Sequence, residues 1–145
     1  MNRNQREQHA IQVDAWIEKS VNGLSQAAQA QIFKDAVEVI EKRILATLSA
    51  ITWNAILDRA LIRSAQSFPL LSGIKIQLGG ISIDGLLLNL QDQKANQVIE
   101  AFRFLLIEIL TIVGNLTAGV LTEPLYRELF RFVANSNSRT DREDV

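Results

Sequence analysis

Ile99–Leu121, IEAFRFLLIEILTIVGNLTAGVL, is the segment with the strongest structural pattern in this sequence. Its apolar residues recur at alternating steps of three and four, a pattern typical of a helix buried along partner helices. The series is Ile99, Phe102, Leu106, Ile109, Val113, Leu116 and Val120. Further aliphatic residues flank the series on both sides, so the apolar stripe is wider than a two-stranded coiled coil needs. We therefore predict a long central apolar helix over 94–121 that is buried on most sides.

A second stripe on the same helix is polar, yet it contains only one charged residue. It consists of Glu108, Thr111, Asn115, Ala118 and Thr122. A fully solvated helix face usually carries several lysines and glutamates. Two interpretations stay open: the stripe is a half-exposed face of small residues, or it is the wall of a pocket or of a subunit contact.

Glu108 needs a partner if the central helix is buried, because an isolated carboxylate inside a protein is too costly to keep ionised. Arg59 and Arg63 are four residues apart, so one helix can present both guanidinium groups to the same side. We predict a buried or half-buried ion pair between Glu108 and one of these arginines; the alternative is that Glu108 reaches solvent. The candidate polar or ligand site comprises Glu108, Thr111, Asn115, Arg59, Arg63 and Trp53.

The rest of the chain predicts an all-α fold of about five helices around the central one, with a small β-hairpin or extended insert near 74–84. The further helices are expected at about 9–21, 26–49, 52–67 and 124–133. The polar ends, 1–8 and 134–145, lack apolar periodicity and are expected to be disordered. The segment between them, 9–133, is expected to form a single helical domain.

The insert is predicted from a change of period. Isoleucine and leucine alternate with polar residues on both sides of Gly79-Gly80, and a two-residue glycine loop is a common hairpin connection. The predicted register places Leu78 opposite Ile81, Ile76 opposite Ile83 and Lys75 opposite Asp84. Asp84 is also a candidate cap for a short helix over 85–90, and Asp92 for the central helix.

Composition excludes several kinds of chemistry. The 145 residues include no cysteine and one histidine, so disulfides and cysteine nucleophiles are excluded. No nucleotide-binding or metal-binding motif is present, and we expect no catalytic residue, no cofactor and no metal.

The net charge of −1 does not favour a nucleic acid partner. Glu108 inside the apolar stretch argues against a membrane span, and we expect a cytoplasmic protein.

These features favour a non-enzymatic interaction module that forms a homodimer, in bacterial signalling or regulation, with another signalling protein as a further partner. The reason is that the wide apolar helix and the hairpin edge need cover, and symmetric dimers are the commonest solution. The alternative is a small-molecule sensor with an apolar pocket beside Glu108, Thr111 and Asn115. A cavity lined by Trp53 and Phe104 would favour the sensor.

Overall fold

The computed structural model describes the backbone of residues 2–77, 80–94 and 96–143, and the side chains of 4–77, 80–91, 93–94 and 96–133. These residues form six α-helices and one antiparallel hairpin, which confirms the all-α fold with a small β insert. The helices are α1 (Asn2–Ser20), α2 (Gln26–Leu45), α3 (Ala50–Ser67), α4 (Asp84–Leu87), α5 (Gln97–Leu116) and α6 (Thr122–Glu143). The strands are β1 (Lys75–Gln77) and β2 (Gly80–Ser82).

Helix α5 is the centre of the fold, and α1, α2, α3 and α6 all pack against it. Its Phe102 ring stacks on Phe33 of α2, with the ring centroids 4.8 Å apart. Trp16 of α1 packs edge-on against the other side of this pair, 5.5 Å from Phe33. All three rings are buried, and burial of such a side chain stabilises the fold by about 2 kcal/mol.

Helix α5 is shorter at both ends than the predicted 94–121. It begins after Asn96, which has a left-handed backbone with φ of 69°. The side chain of Asp92, the predicted cap, lies outside the described residues. At the other end Ala118 and Gly119 are left-handed, with φ of 51° and 80°. Left-handed residues cannot continue a right-handed helix, so they stop it despite the continuing apolar pattern. The last members of the apolar series are exposed, Leu116 and Val120.

The first and last helices extend further than the sequence indicates. Helix α1 begins at Asn2 rather than near His9, and α6 continues to Glu143 rather than ending near Val133. The two polar end segments are therefore helical wherever the backbone is described, and residues 144 and 145 lie outside the described part. No glycine or proline follows Val133, so nothing in the backbone interrupts the helix once it has formed.

The hairpin forms where it is expected, but its predicted register is wrong. Ile76 lies opposite Ile81 and Lys75 opposite Ser82, not opposite Ile83 and Asp84. The two registers differ by two residues, which keeps every side chain on the same face, so alternation alone cannot choose between them. The predicted pairing of Leu78 falls outside the described residues. Asp84 is the first residue of α4 and not its cap.

Two glycines bring the backbone after α3 against α4. A Cβ added at Gly73 would lie 2.5 Å from the backbone nitrogen of Leu86, and one at Gly85 would lie 2.8 Å from the carbonyl oxygen of Gly73. No side chain fits at these distances, so the short 3₁₀ turn Pro69–Gly73 can rest on α4 only because both residues are glycine.

Candidate functional site

Glu108 lies in a clamp formed by arginines from two other helices. Arg6 of α1 places Nη2 2.6 Å from Oε1 of Glu108, and Arg63 of α3 places Nη1 3.5 Å from Oε2. The predicted ion pair with Arg63 is therefore present. The closer partner, Arg6, belongs to the segment that the sequence indicates as disordered. The clamp joins α1, α3 and α5 through one carboxylate.

The clamp is buried at its centre and hydrated at its edges. Glu108 is buried, whereas the side chains of Arg6 and Arg63 are 40% and 55% exposed. Oε2 of Glu108 makes no hydrogen bond within the described residues, because 3.5 Å is an ion-pair distance rather than a hydrogen-bond distance. The Arg6 guanidinium also lies 5.6 Å from the centre of the Phe104 ring, a cation–π distance. The charge is therefore neutralised by cations that keep contact with water.

The other predicted site residues do not join this clamp. Thr111 donates a hydrogen bond to the carbonyl of Ile107 in its own helix, at 2.7 Å. Asn115 and Arg59 are exposed. Trp53 lies in a different place, where its indole nitrogen donates to Glu41 at 2.6 Å. The candidate set therefore reduces to Glu108 and Arg63, with Arg6 added.

A shallow groove of about 350 Å³ lies beside the clamp, between α1 and α5. It is lined by Arg6, Glu7, Ala10, Arg103, Phe104 and Ile107. Arg103 also forms two hydrogen bonds to Asp14, at 2.6 and 3.1 Å, and these bonds raise the pKa of Arg103. The groove is thus bordered by two arginines that are already paired with carboxylates.

A larger groove of about 530 Å³ lies where α2, α3 and β1 meet. It is lined by Glu41, Leu45, Ala50, Trp53, Asn54, Ile76 and Gln77. We call it the Trp53 groove. Ile51, which follows the lining residue Ala50 in the first turn of α3, is 83% exposed. Trp53 and Phe104 therefore line separate grooves. They do not share the cavity that would have favoured a sensor.

The single histidine is buried between two helices, which its polar sequence surroundings do not predict. His9 is buried, and its Nδ1 lies 2.6 Å from the Tyr126 hydroxyl. Burial lowers the pKa of His9, as does the nearby charge of Arg6. Burial also raises the pKa of Tyr126 to about 12, with a further contribution from Glu123. The imidazole and the phenol therefore join α1 to α6 as a neutral pair.

Among the described residues, no group of three or more histidine, aspartate or glutamate side chains could hold a metal ion. None of the helices, as far as they are described, is long and apolar enough to cross a membrane.

Comparison with known proteins identifies no relative. No protein-family model matches the chain, no curated protein matches it, and no solved structure matches it.

Proposed function

We propose that this chain is a non-enzymatic interaction module of signalling or regulation, and that it forms a homodimer through the face around the Trp53 groove. One observation carries the proposal: a strongly exposed apolar side chain follows directly, in the sequence, a residue that lines a groove with several apolar members. Ile51 is the exposed residue, at 83%, and Ala50, which precedes it, lines the groove.

A face of this kind is complementary to itself. In a two-fold dimer the same patch of both copies meets, so Ile51 of each copy can enter the groove of the other. The groove lining combines apolar Leu45, Trp53 and Ile76 with polar Glu41, Asn54 and Gln77, and protein interfaces have a similar mixture. Strand β1 also borders the groove and has a strand partner on one side only within the described residues. A second copy would cover this edge.

Sedimentation velocity at micromolar concentration tests the proposal. The apparent mass of the wild-type species is expected to be about twice the 16.2 kDa of one chain. The Ile51→Glu variant is expected to be a monomer, because dimerisation would bury its carboxylate in the partner's groove. The matched control is Leu88→Glu, since Leu88 is 84% exposed but lies outside the groove lining. This control should remain dimeric.

Two outcomes would contradict the proposal. A monomeric wild-type chain would remove the homodimer altogether. A dimer that survives Ile51→Glu would show that the copies meet through another face.

The small-molecule sensor is a second candidate, and the groove beside Glu108 supports it. Its volume of about 350 Å³ is within the usual range for ligand sites. Phe104 and Ile107 offer apolar contact. Arg6 and Arg103 are paired with Glu108 and Asp14, but each guanidinium has five N–H donors, so donors are left for a small anion with an apolar body. Anilinonaphthalene sulfonate is a suitable fluorescent probe. Its emission should rise with the wild-type chain and with Arg59→Gln, but not with Arg103→Gln; equal signals from all three would reject this candidate.

A further inference from the structure

A basic groove lies between α2 and α6, on residues that the proposed dimer face does not use. Two adjoining depressions, of about 390 Å³ and 170 Å³, share Arg43, Glu128 and Arg131 and therefore form one groove. We call it the α2–α6 groove. Its full lining is Val39, Lys42, Arg43, Ala46, Pro124, Arg127, Glu128 and Arg131.

The charge of this groove differs from that of the whole chain. Its lining has four cationic side chains and one carboxylate, a net charge of +3, whereas the chain has a net charge of −1. The single carboxylate, Glu128, already lies 3.2 Å from Arg131. The other three cations are exposed, Lys42, Arg43 and Arg127. Pro124 lies in the first turn of α6, where the helix dipole adds positive potential.

Apart from Glu128, no acidic residue lines the groove. Glu123 comes one turn before Arg127 on α6, and Asp35 comes one turn before Val39 on α2. Neither belongs to the lining. The positive potential between the two helices therefore has few internal counter-charges, and it favours a negatively charged partner.

We propose that the α2–α6 groove binds an acidic segment of a partner protein, in which carboxylates flank an apolar side chain. Arginine guanidinium groups match carboxylates with paired hydrogen bonds, and Arg43 and Arg131 lie in both depressions. Val39 and Ala46 give the groove an apolar strip for the side chain between the carboxylates. The lining contains no aromatic residue on which a nucleic acid base could stack, so the geometry favours a peptide over a single-stranded nucleic acid.

Fluorescence anisotropy with the full chain tests this site. The probe is a fluorescein-labelled peptide of Glu-Glu-Leu repeats, and the reference is the same peptide with glutamine in place of glutamate. The chain should bind the acidic peptide and not the reference, and binding should weaken as salt rises, because salt screens exposed charges. The affinity of the double variant Arg43→Gln/Arg131→Gln for the acidic peptide should be lower by at least about tenfold, because charge-assisted hydrogen bonds are lost.

The matched control removes the same net charge elsewhere. Arg59 and Lys75 are exposed and do not line the groove, so Arg59→Gln/Lys75→Gln should keep most of the affinity. Circular dichroism melting of both double variants shows whether each is folded. Sedimentation of the Arg43→Gln/Arg131→Gln variant should still give the wild-type state, which separates this site from the proposed dimer face.

Three results would overturn the proposal. The first is equal binding of the glutamate and glutamine peptides. The second is an equal loss of affinity in the two double variants, which would indicate attraction by net charge alone. The third is tighter binding of polyuridylate than of the acidic peptide, with loss in Arg43→Gln/Arg131→Gln, which would assign the groove to nucleic acid.

Discussion

Glu108 of α5 and His9 of α1 are both buried titratable residues, but the fold accommodates them in opposite ways. Glu108 is held by Arg6 and Arg63, whose side chains remain partly in water. His9 has the buried hydroxyl of Tyr126 as its hydrogen-bond partner, and its pKa is lowered by burial. This core therefore tolerates a charge where oppositely charged surface side chains can reach it, and it keeps a titratable ring neutral where burial and a nearby like charge disfavour the charged form.

The two halves of α1 contact the rest of the fold in different ways. Its first half is attached by polar contacts, through Arg6 and His9. Its second half is attached mainly by buried apolar side chains, Val13, Trp16 and Ile17, with the partly exposed Asp14–Arg103 pair in addition. Apolar burial depends little on pH, whereas polar contacts depend on the protonation of both partners. The two halves should therefore respond differently to substitution and to pH.

The largest effect is expected from Glu108→Ala, which should lower the free energy of unfolding by about 2 kcal/mol. Breaking a fully buried ion pair typically costs about 3–5 kcal/mol, but here both arginines are partly exposed and can regain water, which reduces the loss. Urea denaturation measures the change. Glu100→Ala is the control, since Glu100 is an exposed glutamate on the same helix. Equal effects of the two substitutions would mean that the clamp adds no stability.

The second effect is a dependence of stability on pH that comes from His9. The pKa of His9 lies below its ordinary value of 6.5 in the folded chain, so the unfolded chain takes up the proton first as the pH falls. The free energy of unfolding should therefore decrease as the pH drops below 6.5, by at most about 1.4 kcal/mol for each pH unit. Above that pH the contribution is constant.

Thermal melts between neutral and mildly acidic pH measure this effect. His9→Gln is the suitable variant, because glutamine is polar but does not titrate in this range. The stability of this variant should depend less on pH than that of the wild type. The carboxylates contribute equally to the pH dependence of both chains. Parallel profiles would contradict a neutral, buried His9.

The smallest effect is expected from Gly114→Ala, which should stabilise the chain by about 0.5–1 kcal/mol, because glycine is unfavourable within a helix. The added Cβ would lie 3.5 Å from Oγ1 of Thr122 and 3.7 Å from Nε2 of His9. These are ordinary contact distances, so neither neighbour needs to move. Chemical denaturation measures the change, and a clear loss of stability would show that Nε2 of His9 needs this space.

Gly80→Ala is the contrasting control. Gly80 has a φ of +152°, and its added Cβ would lie 2.5 Å from the Glu38 carboxylate. This substitution should destabilise the chain where Gly114→Ala stabilises it.

Much of the helical fold and one half of the clamp could be predicted from the sequence. The steps of three and four around Phe102 locate α5, and the lone charge of Glu108 on that helix requires a cation. Arg6 could not be predicted as that cation, because its segment, 1–8, lacks the apolar periodicity that predicts a helix. A weak signal for His9 exists: steps of four and three lead from His9 to Val13 and Trp16, which extends the buried face backward.

The features that could not be predicted are formed by residues far apart in the sequence or lie at helix ends. The α2–α6 groove joins Arg43 with Arg127 and Arg131, more than 80 residues apart, and no local pattern reports such a meeting. Leu116 shows the opposite failure, since its spacing predicts burial but the helix ends there and leaves it exposed. Local periodicity thus identifies helices well, and it identifies neither their ends nor their neighbours.

The contact between Gly73 and Gly85 has a consequence for the evolution of this chain. A methyl group at either position would meet backbone atoms of the opposite segment, and a change at one position cannot be compensated by a change at the other. Substitutions elsewhere can accumulate while apolar positions stay apolar, but these two glycines must be inherited together. A distant descendant or ancestor with the same fold should therefore still carry two glycines twelve positions apart, the first closing a turn begun by proline and the second following the hairpin.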